Sequence, residues 1–114
     1  MAYVYIVKCD DNSYYTGIAS NAKRRIKEHY LKMPNCAKYM RSRNITEVSA
    51  VWEVSSYSYA AKLEYYIKKK LTHSKKQQLV ENKNMFKTLI PQELQVLSYN
   101  RIEEITLEDC LAEK

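Results

Sequence analysis

The chain has 114 residues, 46% hydrophobic and 28% charged, with a formal charge of +6, a size that suits one domain burying a modest core. No apolar run approaches the roughly eighteen residues needed to cross a bilayer, no signal-peptide h-region opens the chain, and Cys9, Cys36 and Cys110 are too widely spaced for a disulfide framework or zinc-ligand pairs. The expectation is a soluble, cytoplasmic protein with reduced thiols.

Residues 3–9 (YVYIVKC) are β-branched or aromatic almost throughout, the pattern of a central strand buried on both faces. DDNS is turn chemistry and YYTGIA a second strand, so the chain opens with a β-hairpin. Asn21 caps a helix from Ala22, in which Ala22, Ile26 and Tyr30 share one stripe and Arg25 and His29 the next. Pro34 and Asn35 end it, AKYMRSRN follows as a loop or short irregular turn, and Glu47 to Val54 is a third strand containing Trp52.

Ser58 caps a long helix through Leu71, with Ala60, Leu63, Ile67 and Leu71 as its buried stripe. Ser74 and Gln77 have the spacing of a capping box that opens a further helix to about Val80. After Met85 the pattern weakens: Pro91 interrupts it, LQVLSY is a short strand or irregular segment, and Thr106 with Asp109 resembles a capping box opening a final short helix. The division expected is a domain over 1–84 and an acidic extension over 85–114 packed on it.

Charge follows that division. Residues 1–87 hold 17 Lys/Arg against 7 Asp/Glu, and residues 88–114 hold 2 against 6. A basic body with interleaved tyrosines suits a polyanion, through counterion release and stacking on bases; a solvated basic surface is the ordinary alternative. We expect the acidic extension to lie near the basic face and weaken nonspecific binding of a polyanion.

Three features invite a chemical reading. Glu64 falls inside the apolar stripe of its helix, where a buried carboxylate is costly unless something positive meets it; the simpler alternative is a pairing with a nearby lysine. Arg25 and His29, four apart, can bind a phosphate and relay a proton, or stand solvated. Four tyrosines, Tyr3, Tyr5, Tyr14 and Tyr15, crowd one hairpin beside Gly17, the only glycine in the chain. A lone glycine at a strand end permits an unusual φ or a close approach of other groups to the backbone.

Taken in order, YVYIVKCDDNSYYTGIASNAKRRIKEH, AKYMR and AAKLEYYIKKKLTHSKKQQLV resemble the GIY-YIG nuclease family, most closely its small stand-alone bacterial branch, from about Tyr3 to Val80. Of the first signature triplet only Tyr5 is kept; of the second, Tyr15 and Gly17 are kept, with Thr16 in place of isoleucine. The resemblance implies a small α+β domain, a three-stranded antiparallel sheet flanked by helices.

It also implies a metal-dependent DNA endonuclease acting in repair or recombination, with Glu64 binding one Mg2+ or Mn2+. Tyr5 would serve as general base with His29 receiving its proton, Tyr15 would order the nucleophile, and Arg25 would offset charge on the phosphorane. Gly17 would open the backbone beside the site, and Lys8, Lys23, Arg24, Lys38, Arg41 and Arg43 would hold the DNA backbone. Family members carry an asparagine after the metal-binding helix, for which Asn82 and Asn84 are the nearest candidates. A protein partner supplying specificity, and a monomeric or weakly oligomeric state, complete the expectation. The competing readings are a nucleic-acid-binding module of the same fold without turnover, and an adaptor docking an acidic protein.

Overall fold

A computed structural model describes residues 2–95, 99–102 and 105–113. Strand β1 (Ala2–Cys9) is central in an antiparallel sheet of order β2-β1-β3-β4, with β2 Tyr14–Ala19, β3 Ile45–Val54 and β4 Tyr99–Arg101. The sheet has four described strands rather than the three expected. The fourth comes from the acidic extension, and the expected LQVLSY segment reaches it only at Tyr99, with 96–98 outside the described residues.

Strand alternation divides the core into two layers. Ala2, Val4 and Ile6 of β1, with Ala50, Trp52 and Val54 of β3, face helix α2 (Tyr57–Lys70) and meet Ala60, Leu63 and Ile67. Tyr5, Val7 and Cys9 face the other way, onto Ala22 and Ile26 of helix α1 (Ala22–Tyr30), Met40, and Cys110 of helix α5 (Leu107–Leu111). The β1 sequence is unbroken in hydrophobicity because both faces are covered. Between the two layers β3 shifts register opposite Ile6 and Val7, so that Ser49 bulges and Ala50 and Val48, two residues apart, serve opposite sides.

Several boundaries differ from expectation. Helix α2 begins at Tyr57 after Ser56, which makes no side-chain cap bond. Helix α3 (His73–Glu81) is capped not by Ser74 but by Thr72, whose hydroxyl accepts from the Lys75 amide. In α1 it is His29, not Tyr30, that joins Ala22 and Ile26 in the core, while Tyr30 is exposed. The capping box of Thr106 and Asp109 is formed as expected, and all three cysteines are free and buried.

The C-terminal segments are stitched into this frame. Ile102 donates its amide to the Val51 carbonyl, and Arg101 donates to the carbonyls of Ser49, Leu79 and Val80, closing the last turn of α3. Helix α4 (Phe86–Leu89) sets Phe86 against Trp52. Among the described residues no helix is long and apolar enough to cross a membrane.

Candidate active site

Tyr5 and Gly17 are direct partners across β1 and β2, and Tyr15 stands opposite Val7. Tyr5 and Tyr15 are therefore diagonal neighbours on one face, their ring centroids 6.4 Å apart. Gly17 has no positive φ, so of the two explanations for it the close approach holds. A Cβ there would lie 2.3 Å from Tyr5 Oη and 2.4 Å from Cζ. Gly17 is buried beneath this phenol, and its service is to make room for the ring.

The burial of His29 by α1 completes the group. Its Nε2 lies 2.9 Å from Tyr5 Oη, and its ring meets Tyr15 edge-on at 5.5 Å. On the far side of the imidazole, Nδ1 accepts the backbone N–H of Ala37 at 3.3 Å. That bond assigns the proton of the neutral ring to Nε2, so His29 donates to the Tyr5 oxygen. Burial first, and Arg25 second, push the His29 pKa down to about 4, so the ring is neutral near pH 7. In this tautomer His29 donates to Tyr5 rather than standing ready to receive its proton, the role expected from the resemblance.

Burial holds both phenols above their ordinary range, and a nearby Glu64 raises them further, while Arg25 draws them down. The Arg25 guanidinium is itself fixed, donating to Glu28 at 3.1 Å and to the Asn35 carbonyl at 2.8 Å. Glu64 enters from α2, half-buried, with no hydrogen bond or ion pair to a described residue; burial raises its pKa and Lys68 partly offsets this. Lys68 also places its ammonium 5.1 Å from the Tyr15 ring centre. Tyr5, Tyr15, Arg25, His29 and Glu64 thus influence one another across four elements. Among the described residues no three His, Cys, Asp or Glu side chains gather as a metal cluster.

A wall of the site was missed from sequence. The 3-10 turn Lys38–Ser42 stacks Tyr39 on Tyr15, with centroids 5.7 Å apart and planes 25° from parallel. Arg43 covers the Tyr39 ring at 3.7 Å and pairs with Asp11 at 3.0 Å. Arg43 thereby holds Tyr39 in place while its side chain stays part-exposed. Tyrosine in the AKYMR segment was the available signal, but neither stacking partner is adjacent in sequence.

The other expected contacts scatter. Arg24 is exposed and pairs loosely with Glu28 at 3.6 Å; Lys38 and Arg41 are exposed on the 3-10 turn, and Lys8 and Lys23 are half-buried. Lys23 stands near Asp109 of α5, whose carboxyl it helps to hold low. Tyr3 donates to Glu53 and Tyr14 packs on His73, so both serve the frame. Asn82 and Asn84 lie past α3, where the Asn82 side chain accepts from the Asn84 amide.

A profile of the GIY-YIG catalytic domain matches residues 1–78. The UPF0213 protein BH0048 of Halalkalibacterium halodurans is 42% identical over 81 residues, covering 71% of this chain and 83% of the relative. The UPF0213 protein CPE1444 of Clostridium perfringens is 42% identical over 86 residues, covering 75% and 88%. A solution NMR structure of UPF0213 protein BH0048 from Bacillus halodurans is 37% identical, covers 84% of this chain and 95% of its own, and aligns with a TM-score of 0.45. With its match over residues 1–78, and with relatives that are UPF0213 proteins, the chain belongs to the GIY-YIG family.

Proposed function

We propose that the protein is a metal-dependent endonuclease that hydrolyses phosphodiester bonds in DNA. The observation that carries this reading is the Tyr5 phenol gripped by a neutral, donating His29 beside a half-buried Glu64 that has no hydrogen-bond or ion-pair partner among the described residues. Glu64 is part-exposed, so its oxygens are open to water and to a ligand, and its charge acts on both Tyr5 and Tyr15. One hard oxygen donor fits Mg2+ or Mn2+, which keep most of their waters, and does not fit a cation that demands a cage of protein ligands. When bound, such an ion supplies Lewis-acid polarisation of the phosphoryl oxygen and neutralises developing charge.

The chain's own residues do the rest. The Nε2–H of His29 donates to the Tyr5 oxygen and favours its ionised form, against the burial that disfavours it. As a phenolate, its own proton given up to solvent, Tyr5 takes the proton of the attacking water. The oxygen of that water bonds to phosphorus as the P–O bond to the leaving sugar oxygen breaks, and the leaving oxygen is protonated from solvent. Arg25, held by Glu28 and Asn35, presents positive charge toward both tyrosines and the transition state. Tyr15, clamped by Tyr39 and edged by His29, orders the water.

One observation favours a second reading, binding of nucleic acid without turnover: burial raises Tyr5 away from ionisation at neutral pH. Cleavage of labelled duplex, single-stranded, flap and four-way-junction DNA with Mg2+ or Mn2+ separates the two. Metal-dependent cleavage lost in Glu64→Ala supports the nuclease. Binding without cleavage under every condition supports the module.

A further inference from the structure

Helix α2 carries more than Glu64 on its outer side. Tyr57 and Tyr65, 61% and 57% exposed, are the most exposed large hydrophobic side chains among the described residues. Tyr57 precedes Glu64 by seven residues and so lies on nearly the same line of the helix, about 10 Å away along the axis. Lys68 follows one turn after Glu64, and Tyr65 and Lys69 stand one residue further round. Glu64 is the one acid of this helix against Lys62, Lys68, Lys69 and Lys70.

Beyond Tyr65 the surface falls into a groove of about 430 Å³ between α2 and the segment around Pro91, lined by Tyr65, Tyr66, Lys62, Lys70, Leu94 and Glu93 among others. Single exposed tyrosines are unremarkable. Two of them on either side of a candidate metal ligand along the helix, with Lys68 and Lys69 in the turn that follows and a largely apolar groove beyond Tyr65, make a surface with a particular chemistry. An intact duplex keeps its base faces stacked inside and offers this helix only phosphates. An unpaired strand offers free base faces for tyrosine and phosphates for lysine together. About three stacked nucleotides, at 3.4 Å each, span the distance from Glu64 to Tyr57.

We infer that the outer face of α2 binds an unpaired strand of the nucleic acid beside the scissile phosphate, its bases stacking on Tyr57 and Tyr65 and its phosphates meeting Lys68 and Lys69. The inference deepens the proposed function and rests on it only for placing the scissile phosphate near Glu64. The preferred substrate is then DNA with a single-stranded arm or gap.

Fluorescence anisotropy with the full chain tests it, using a labelled oligo-dT and a duplex of equal length, with EDTA present to prevent cleavage. Tyr57→Ala combined with Tyr65→Ala should weaken single-strand binding about tenfold or more, leave duplex binding within about twofold, and keep the slope of log K against log salt. Lys68→Ala should make that slope shallower by about one. Both tyrosines are exposed, so circular dichroism should show an unchanged fold. Three results overturn the inference: single-strand binding unaffected by the double variant, equal loss for duplex and single strand, or a wild-type dimer that the double variant abolishes, which would make the face a contact between two copies. Absence of single-strand binding by the wild type also overturns it. If the wild type cleaves nothing but binds single strands through these tyrosines, the nuclease reading fails and this site stands. If it cleaves and the double variant binds and cleaves as it does, this site fails and the nuclease reading stands.

Discussion

At the scale of single residues, Gly17 and His29 were legible to different degrees. A lone glycine at a strand end marks a close approach from sequence alone; that the approaching group is the Tyr5 ring required the register of β1 on β2. Gly17→Ala should therefore destabilise the fold by about 1–3 kcal/mol by overpacking, and displace Tyr5 Oη from His29, read together as a lower midpoint in urea and lost cleavage. His29 stands out in the sequence as a reacting group, but its tautomer does not, because the amide that fixes it comes from Ala37, eight residues on and past the end of the helix. Its ordinary pKa is near 6.5 and its native one about 4. Between these values the unfolded chain holds a proton that the native state lacks. This contribution to stability is thus full above about pH 6.5 and is lost progressively as the pH falls toward 4. We expect the nitrogen chemical shifts of His29 to report one neutral tautomer, with the proton on Nε2, unchanged from pH 8 to pH 6; titration near 6.5 would contradict the assignment.

At the scale of elements, α1 and α2 were legible from helical periodicity, β1 from an unbroken β-branched and aromatic run buried on both faces, and β2 from the turn that precedes it. Periodicity could not locate β4, three residues long, whose only pattern is its pairing with Trp52 to Val54. The cap of α3 was misplaced for a similar reason: Thr72 and Ser74 are both competent caps, and the choice between them depends on where α2 releases the chain at Leu71. The 3-10 turn at Lys38–Ser42 has the clearest functional consequence. Tyr39 acts on Tyr15 through a stack that needs the ring and not the hydroxyl. Tyr39→Ala should slow cleavage about tenfold by loosening Tyr15, while DNA affinity stays within about twofold and Tyr39→Phe retains the wild-type rate. Equal effects of both substitutions would remove the stack from the account.

At the scale of the whole molecule, the opposition of basic body and acidic extension was visible in composition, and the structure gives it a location. Helix α5 lies against α1: Cys110 is buried in the layer beneath, Lys27 donates to the Glu113 carbonyl, and Lys23 neighbours Asp109. Because this extension also supplies β4 and the Arg101 bonds to α3, deleting residues 88–114 would remove core as well as charge. Glu108→Gln with Glu113→Gln changes charge alone, sparing the Asp109 cap. We expect it to tighten nonspecific DNA binding at low salt, with the difference fading as screening increases. Unchanged affinity at low salt would leave the acidic extension a purely structural part.

As a metal ligand, Glu64 would serve chemistry at a cost to the fold. Side-by-side cleavage rates of wild type and Glu64→Gln on a flap DNA in Mg2+, with thermal midpoints from the same preparations, test it most directly. We predict a rate loss of about a thousandfold or more together with a midpoint unchanged or raised by a few degrees, because the substitution removes a carboxylate that has no hydrogen-bond or ion-pair partner among the described residues and whose ionised form burial disfavours. A Glu64→Gln protein that cleaves at the wild-type rate, or a folded wild type that cleaves nothing, would contradict it.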